Sequence, residues 1–323
     1  MTLAQPLETE AYRSELIGYC YRFFGSYPEA EDAVQETMLR AWQRSDGFAG
    51  QSSVRTWLYR IATNICLDMK RAPQRRALPM DLNAPGTVPD DPSRLTTRDT
   101  ESWIGPIADA RLAPDADPAV IAELRDSVRL AFLAALQILP PRQRVVLILR
   151  DVLAWSAAEC ADLLDMSVAS VNSALARARR TMSEQRRQDR QDRPTDMADD
   201  AERELLQRYV TAFEAYDVDR LVQLLTEDAV FSMPPFELWL RGTADIERWW
   251  RGPGQVCLNS RTVVTRANGG PAAGIYHPVA PGRWEPFALH VLDMSGGRIS
   301  AITHFMGPAV FAQFGLPAEI LAD

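Results

Sequence analysis

Residues 155–182 read WSAAECADLLDMSVASVNSALARARRTM, and this stretch decides the fold of the segment around it. Ser156 is a good helix N-cap, and Ala157, Ala158, Ala161 and Leu164 recur at helical spacing as a buried stripe. Asp165, Met166 and Ser167 make a short turn. Asp165 occupies the position that favours a left-handed residue, which Asp tolerates better than most residues other than Gly. A second periodic run, Val168, Val171, Leu175, Ala178 and Met182, shares one face and leaves Ser170, Asn172, Ser173, Arg177 and Arg180 outside. Two short helices, the second with a polar and then arginine-rich outer face, predict a helix-turn-helix that enters a major groove. The alternative at this point is a helical hairpin with a solvated basic face.

The chain has 323 residues, 46% of them hydrophobic, enough for two or more domains with separate cores. The N-terminus is polar and acidic, and no apolar run approaches a membrane span, so a cytoplasmic protein without membrane contact is expected. Cys20, Cys66, Cys160 and Cys257 lie far apart, which argues against zinc, other metal sites or a disulfide framework and for buried thiols. No cofactor is expected. The net charge of -8 is wrong for a protein that grips DNA unaided. Yet residues 54–76 hold six basic side chains against one acid, and residues 168–190 hold six against two. Two basic islands in an acidic chain suggest delivery to DNA by a larger partner.

Residues 8–78 read as helical. Ala30, Val34, Met38, Ala41 and Trp42 form an apolar stripe, with Asp32, Gln35, Glu36 and Leu39 on another face. A polar loop at 45–53 carries Phe48. Val54, Trp57, Leu58, Ile61, Ala62 and Ile65 then mark a second helix with Trp57 in the core, leaving Arg55, Arg60, Thr63, Asn64, Lys70 and Arg71 outside. Short polar groups flanked by cations suit base edges and phosphates.

Four blocks taken together, PEAEDAVQETMLRAW (28–42), TWLYRIATNICLDMKR (56–71), LPPRQRVVLILRDVLAWSAAECADLL (139–164) and SVASVNSALARAR (167–179), resemble the extracytoplasmic-function sigma factors of bacterial RNA polymerase in order and spacing. The resemblance covers about the first 185 residues. Asn172 stands where the family often has Lys and Asp165 where Gly is usual, which bears on the promoter sequence. The resemblance implies that Asp32, Gln35, Glu36 and Leu39 dock on the β′ clamp helices of the polymerase core. It implies that Thr63 and Asn64 lie near an unstacked base of the minus-ten element, with Phe48 in the loop that traps a base and Arg60, Lys70 and Arg71 toward DNA. Ser170, Asn172, Ser173, Arg177 and Arg180 would face the minus-thirty-five element, with this module seated at the β flap. The implied boundaries are 1–78 and 119–188 for two all-helical modules, joined by a 79–118 linker.

Residues 81–126 carry ten acids against four arginines, a composition that predicts a disordered or extended path. The reading of the linker lies between a passive tether and, by resemblance, a strand threading the polymerase cleft, with Trp103, Ile104 and Ile107 as an apolar anchor. After a charged linker at 189–200 the composition changes. Residues 202–235 begin as amphipathic helices and run into a strand, and RTVVTRANGG, RWEPFALHVLDMSGGR and ISAITHFM read as strands with Gly-rich turns. Residues 201–323 resemble the SnoaL-like or NTF2-like α+β cone, on the phrases DAVFSMPP and GRISAITHF. Trp239, Phe287, His290, His304 and Phe305 are candidates to line a pocket for a small apolar ligand, or else plain core. The hairpin register decides whether the two histidines meet: a two-residue loop at Gly296-Gly297 sets His290 opposite Thr303, whereas an odd count pairs it with His304.

The expected protein is multidomain, two helical modules plus a cone. It is not an enzyme but a promoter-recognition factor that binds core polymerase and promoter DNA and is controlled in cis by its third domain. Its rivals are a hydrolase or cyclase tethered to DNA by the helical part, and a helix-turn-helix regulator that works without polymerase. Asp293, beside the turn, is expected to be exposed, and no acid, base and nucleophile assemble in the sequence.

Overall fold

The computed structural model describes residues 9–45, 48, 52–69, 76–112, 125–188 and 199–322, and divides into two compact units. Lys70 and Arg71 lie outside the described residues.

The first unit combines the stretches up to Arg76 and from Ala110 to Arg190. Helices α1 (Arg13–Phe24), α2 (Tyr27–Gln43) and α3 (Val54–Asp68) pack on one another. Gly25, at φ 69°, ends α1 in the left-handed conformation, and the Ser53 side chain caps α3 at the Thr56 N–H. Leu16, Tyr19, Ala30, Val34, Leu58 and Ile65 are buried between them. Trp42 departs from the expected apolar stripe: it is 75% exposed, because Ala33, Val34, Thr37 and Ala41 are the residues that α2 turns inward. Trp57 is half-buried rather than core, and Phe48 rests on it at 4.9 Å between ring centroids.

The remainder of this unit is α4 (Leu130–Gln137), α5 (Pro141–Leu147) extended by a π-helical turn over Ile148–Val152, α6 (Ala157–Leu164) and α7 (Val168–Gln188). Arg144 of α5 is buried and donates to the carbonyls of Phe23, Gln137 and Leu139 and to the Gln137 side chain, stitching α1 to the α4–α5 turn. Burial lowers its pKa to about 10, still well above neutrality.

The second unit combines Ala77–Asp109 with Gln191–Asp323. Its sheet runs β2 (Trp239–Arg241), β1 (Leu225–Ser232), β6 (Arg298–Met306), β5 (Arg283–Ser295), β4 (Gly270–Ala280), β3 (Arg261–Ala267), with β7 (Ile320–Leu321) on β5. The β1–β6 pair is parallel and the others antiparallel. Helices α8 (Asp199–Glu214), α9 (Val218–Gln223) and α10 (Thr243–Arg251) close one face over a core that includes Leu205, Tyr209, Phe213, Phe231, Trp249 and Leu292. Trp249 and Trp250 are core residues.

Of the disordered or extended path that its composition predicts, the acidic linker takes the extended one over 77–109, and it is ordered there. It follows the C-terminal domain through short 3-10 turns and backbone bonds. Gly86 N–H donates to the Trp239 carbonyl at 2.8 Å, Arg98 N–H to the Pro235 carbonyl at 3.0 Å, and Glu237 N–H to the Thr96 carbonyl at 2.9 Å. Val88 and Leu95 pack on the sheet's core. At its far end Ile107 and Asn268 exchange two hydrogen bonds, and Asp109 accepts from Gly269 N–H and pairs with Arg266. Asn268 and Gly269, both at positive φ, form the two-residue β3–β4 turn, so the hairpin tip itself grips the linker. Trp103, Ile104 and Ile107 are buried, as an anchor should be.

Candidate nucleic-acid interface

The helix-turn-helix forms as its caps and periodicity require. Ser156 and Glu159 make a reciprocal capping box at the start of α6, and Asp165 takes the left-handed conformation at φ 51° that ends it. The buried stripe of α6 is Cys160, Ala161 and Leu163; Ala158 is exposed and Ala157 and Leu164 are intermediate, so the helix is rotated from the expected face. On α7, Val171, Ala174, Leu175, Ala178 and Met182 are buried, whereas Val168, expected in that stripe, is 45% exposed in the first turn. Ser167 caps α7 at Ser170 N–H and shares a 2.8 Å hydrogen bond with the Ser170 hydroxyl.

Ser170, Asn172, Ser173, Arg177 and Arg180 all lie on the exposed face of α7. Arg179 does not join them: it forms a two-pronged ion pair with Asp151, at 2.7 and 3.0 Å. Among the described residues Arg177 and Arg180 have no carboxylate partner, so both guanidinium groups are open to a phosphate or a base edge.

Helix α3 differs. Asn64 is exposed as expected, but Thr63 is 1% exposed and its hydroxyl bonds the Tyr19 hydroxyl at 2.8 Å. Its placement beside an unstacked base is therefore corrected: Thr63 lies on the α1-facing side, one helical step from Asn64. Arg60 is committed to Asp162 on α6, donating to its carboxylate at 2.7 Å and to its carbonyl at 3.1 Å. Arg55 is held by Glu15, with its guanidinium over the rings of Tyr59 and Trp155. The polar face of α3 thus packs in part against the helix-turn-helix module. Sequence periodicity could not reveal this, because the partner lies about a hundred residues away.

On α2, Asp32, Gln35 and Leu39 are exposed, Leu39 at 48%, and Glu36 is half-buried in an ion pair with Arg40. Trp42 adds its exposed indole one turn beyond Leu39. The result is an acidic surface with an apolar ridge.

In the C-terminal domain the candidate pocket residues separate. Trp239 is core, and its indole N–H donates to the Asn83 carbonyl of the linker at 2.9 Å. Phe305 pairs with Leu289 on the face opposite to His304, so it lines no common pocket with the histidines. Phe287 stacks on His277 at 3.5 Å. His290 and His304 are adjacent, 3.9 Å between ring centroids. The loop has two residues, Ser295 pairing with Arg298. A bulge between Asp293 and Met294 shifts the ladder by one, so His290 faces His304 rather than Thr303. Burial lowers the His304 pKa to about 4 and the His290 pKa well below its usual value, the neighbouring ring adding to the second effect. Asp293 is half-buried rather than exposed. No helix among the described residues is long and apolar enough to cross a membrane.

Residues 9–76 match the family model for Sigma-70 region 2, residues 129–182 that for Sigma-70 region 4, and residues 206–302 that for the SnoaL-like domain. The chain is 47% identical over 314 residues to the ECF RNA polymerase sigma factor SigG of Mycobacterium tuberculosis, spanning 97% of this chain and 84% of that protein. It is 28% identical over 322 residues to SigJ of the same species, spanning 94% of this chain and 92% of that protein. The crystal structure of SigJ matches with a TM-score of 0.61 at 25% identity, covering 97% of this chain and all of that one.

Proposed function

Because the chain belongs to the ECF RNA polymerase sigma factors, which direct promoter recognition, we propose a division of labour among its surfaces and a cis-acting role for its third domain. The α2 surface around Asp32, Gln35, Leu39 and Trp42 docks on the β′ clamp helices of core polymerase, where an acidic face with an apolar ridge suits a basic, partly apolar helix. Helix α7 enters the major groove of the minus-thirty-five element with Asn172, Ser173, Arg177 and Arg180 foremost, from a module seated at the β flap. Asn64 and Phe48, with Arg60 once it leaves Asp162, serve the minus-ten element. The chain works inside the cell beside the polymerase, and the polymerase performs the chemistry.

The cis role rests on the ordered linker. Residues 77–109 give backbone hydrogen bonds and apolar side chains to the C-terminal domain. A segment held in this way is not free to follow nucleic acid through a polymerase channel, so the strength of the hold sets how readily the factor works. Gly86 offers a handle: a Cβ there would meet the end of the Leu238 side chain at 2.6 Å, so Leu238 must shift to admit any side chain, and a bulky one most. Run-off transcription with core polymerase would compare the full chain with Gly86→Leu and with a truncation ending at Asp200. A changed yield or changed promoter choice in both variants supports cis control. Equal transcripts from all three proteins would remove it while leaving the sigma-factor assignment intact.

A further inference from the structure

The exposed side of α7 offers base edges a narrow chemistry. Over its first half it presents Val168, Ala169, Ser170, Asn172, Ser173 and Ala176. No Lys, Arg, Asp or Glu stands between Val168 and Ala176, and the cations of the helix begin at Arg177. The N-terminal residues of a recognition helix are the ones that reach base edges. Arg and Lys pair with guanine, and Asp and Glu accept from cytosine, so this half of α7 lacks the charged side chains that read a G·C pair.

Two observations single out Asn172. Its exposed carboxamide has no hydrogen-bond partner among the described residues, whereas the Ser170 hydroxyl is already shared with Ser167 at 2.8 Å in the helix cap. Its neighbours on the helix surface are methyl groups: Ala169 stands three residues before it and Ala176 four after, both exposed, each about 5–6 Å away between Cβ atoms. A carboxamide presents a donor and an acceptor side by side. In the major groove adenine presents the matching pair, N7 to accept and N6 to donate. Guanine presents two acceptors there, which would leave the amide oxygen facing an acceptor. Thymine is the base that carries a methyl on this edge, and small alkyl side chains are what it packs against.

We propose that the minus-thirty-five element of this factor holds an adenine read by Asn172 through paired hydrogen bonds to N7 and N6, with the methyl of a thymine in an adjoining base pair against Ala169 or Ala176. The proposal rests on the reading of α7 as the minus-thirty-five helix and adds the base that the helix selects. Arg177 and Arg180 lie more than one helical turn further along, clear of this position. Lys, frequent at position 172 in the family, would select guanine instead, so this residue sets the chain apart from such relatives.

Holoenzyme reconstituted from core polymerase and the full chain would select transcribed templates from a promoter library randomised across the minus-thirty-five element. Adenine should be enriched at one position by about tenfold or more over the other three bases. Asn172→Ala should flatten that position alone, and Asn172→Lys should move its preference to guanine. On the selected promoter, 7-deazaadenine at that position, which lacks the N7 acceptor, should lower wild-type transcription about as much as a mismatched base. Deoxyuridine for the adjoining thymine, which removes only the methyl, should lower it about two- to fivefold. If the Arg177→Ala, Arg180→Ala protein enriches nothing, then enrichment that ignores Asn172, or a guanine or cytosine at the position Asn172 controls, would overturn this proposal and leave α7 as the reader. Enrichment that survives both sets of substitutions, or none with the wild type, would remove the α7 reading as well. The base-analogue measurements use wild-type protein and stand even if a variant fails to fold.

Discussion

Helices α3 and α7 carry the same sequence pattern, an apolar stripe backed by a polar face with arginines, yet their arginines have different fates. On α7, Arg177 and Arg180 are exposed and uncommitted among the described residues. On α3, Arg55 is held by Glu15 and two aromatic rings, and Arg60 is held by Asp162. A solvent-facing helical position leaves an arginine available to nucleic acid in the free protein only where no carboxylate of the same molecule reaches it first. Of the two surfaces proposed to read DNA, the free protein therefore leaves the cations of one uncommitted and those of the other partly engaged.

The largest effect that could break this comparison is at α7. Replacing both Arg177 and Arg180 by Ala should lower run-off transcription ten- to a hundredfold or more, since each contact to a base edge is worth about 1–3 kcal/mol. The thermal midpoint should barely move, because both side chains are exposed. Undiminished transcription would show that α7 is not the reader.

The next effect sharpens the contrast between the units, since proton-linked stability should reside in the domain that holds every histidine. His304 has an ordinary pKa near 6.5 when unfolded and about 4 when folded, so between those values the unfolded chain binds more protons and stability rises with pH. The contribution is intact above pH 6.5 and is lost as pH falls toward 4, amounting to about 3 kcal/mol for this ring. Denaturant unfolding of the full chain at a series of pH values, against His304→Gln, should show a steeper loss in the wild type.

On α2, Trp42→Ala should weaken binding to core polymerase by about 2 kcal/mol, the scale of an aromatic anchor at an interface, without loss of fold stability. Fluorescence anisotropy with labelled full chain measures both the affinity and, by melting, the control. The smallest expected effect is at the α3 brace. Asp162→Ala releases Arg60 from a pair that is largely exposed, worth about 0.2–1 kcal/mol, and should raise promoter binding by the assembled polymerase no more than about fivefold. A fall instead would mean that the brace supports the fold rather than restraining Arg60.

What could be read in the chain follows from the range of the interactions involved. The helix-turn-helix is legible because its signals are local: the Ser156 cap, Asp165 at the left-handed turn and a three-to-four-residue stripe on α7 all act within one or two turns of helix. That a Gly-rich turn ends the RTVVTRANGG strand is legible for the same reason, though not that Asn268 and Gly269 form it. The inward-turning Thr63 escaped because a threonine between Ala62 and Asn64 fits either face, and only the Tyr19 hydroxyl, forty-four residues away, decides it. Trp42 escaped because hydrophobicity alone placed it in the core. The pairing of His290 with His304 depends on one bulge, which no turn residue announces. The order of the linker is the least legible feature. Its acidic, proline-rich composition lacks a core of its own, but Val88, Leu95 and a run of backbone groups borrow one from a sheet more than a hundred residues further on.

The central claim is that this chain engages promoter DNA as a subunit of RNA polymerase and not alone. Anisotropy of a labelled promoter duplex, titrated with the full chain in the absence and presence of core polymerase at fixed salt, tests it in one experiment. Promoter-specific binding should emerge only when core enzyme is present, and Arg177→Ala with Arg180→Ala should abolish the specificity. Tight, specific binding by the chain alone, or no change on adding core enzyme, would refute it.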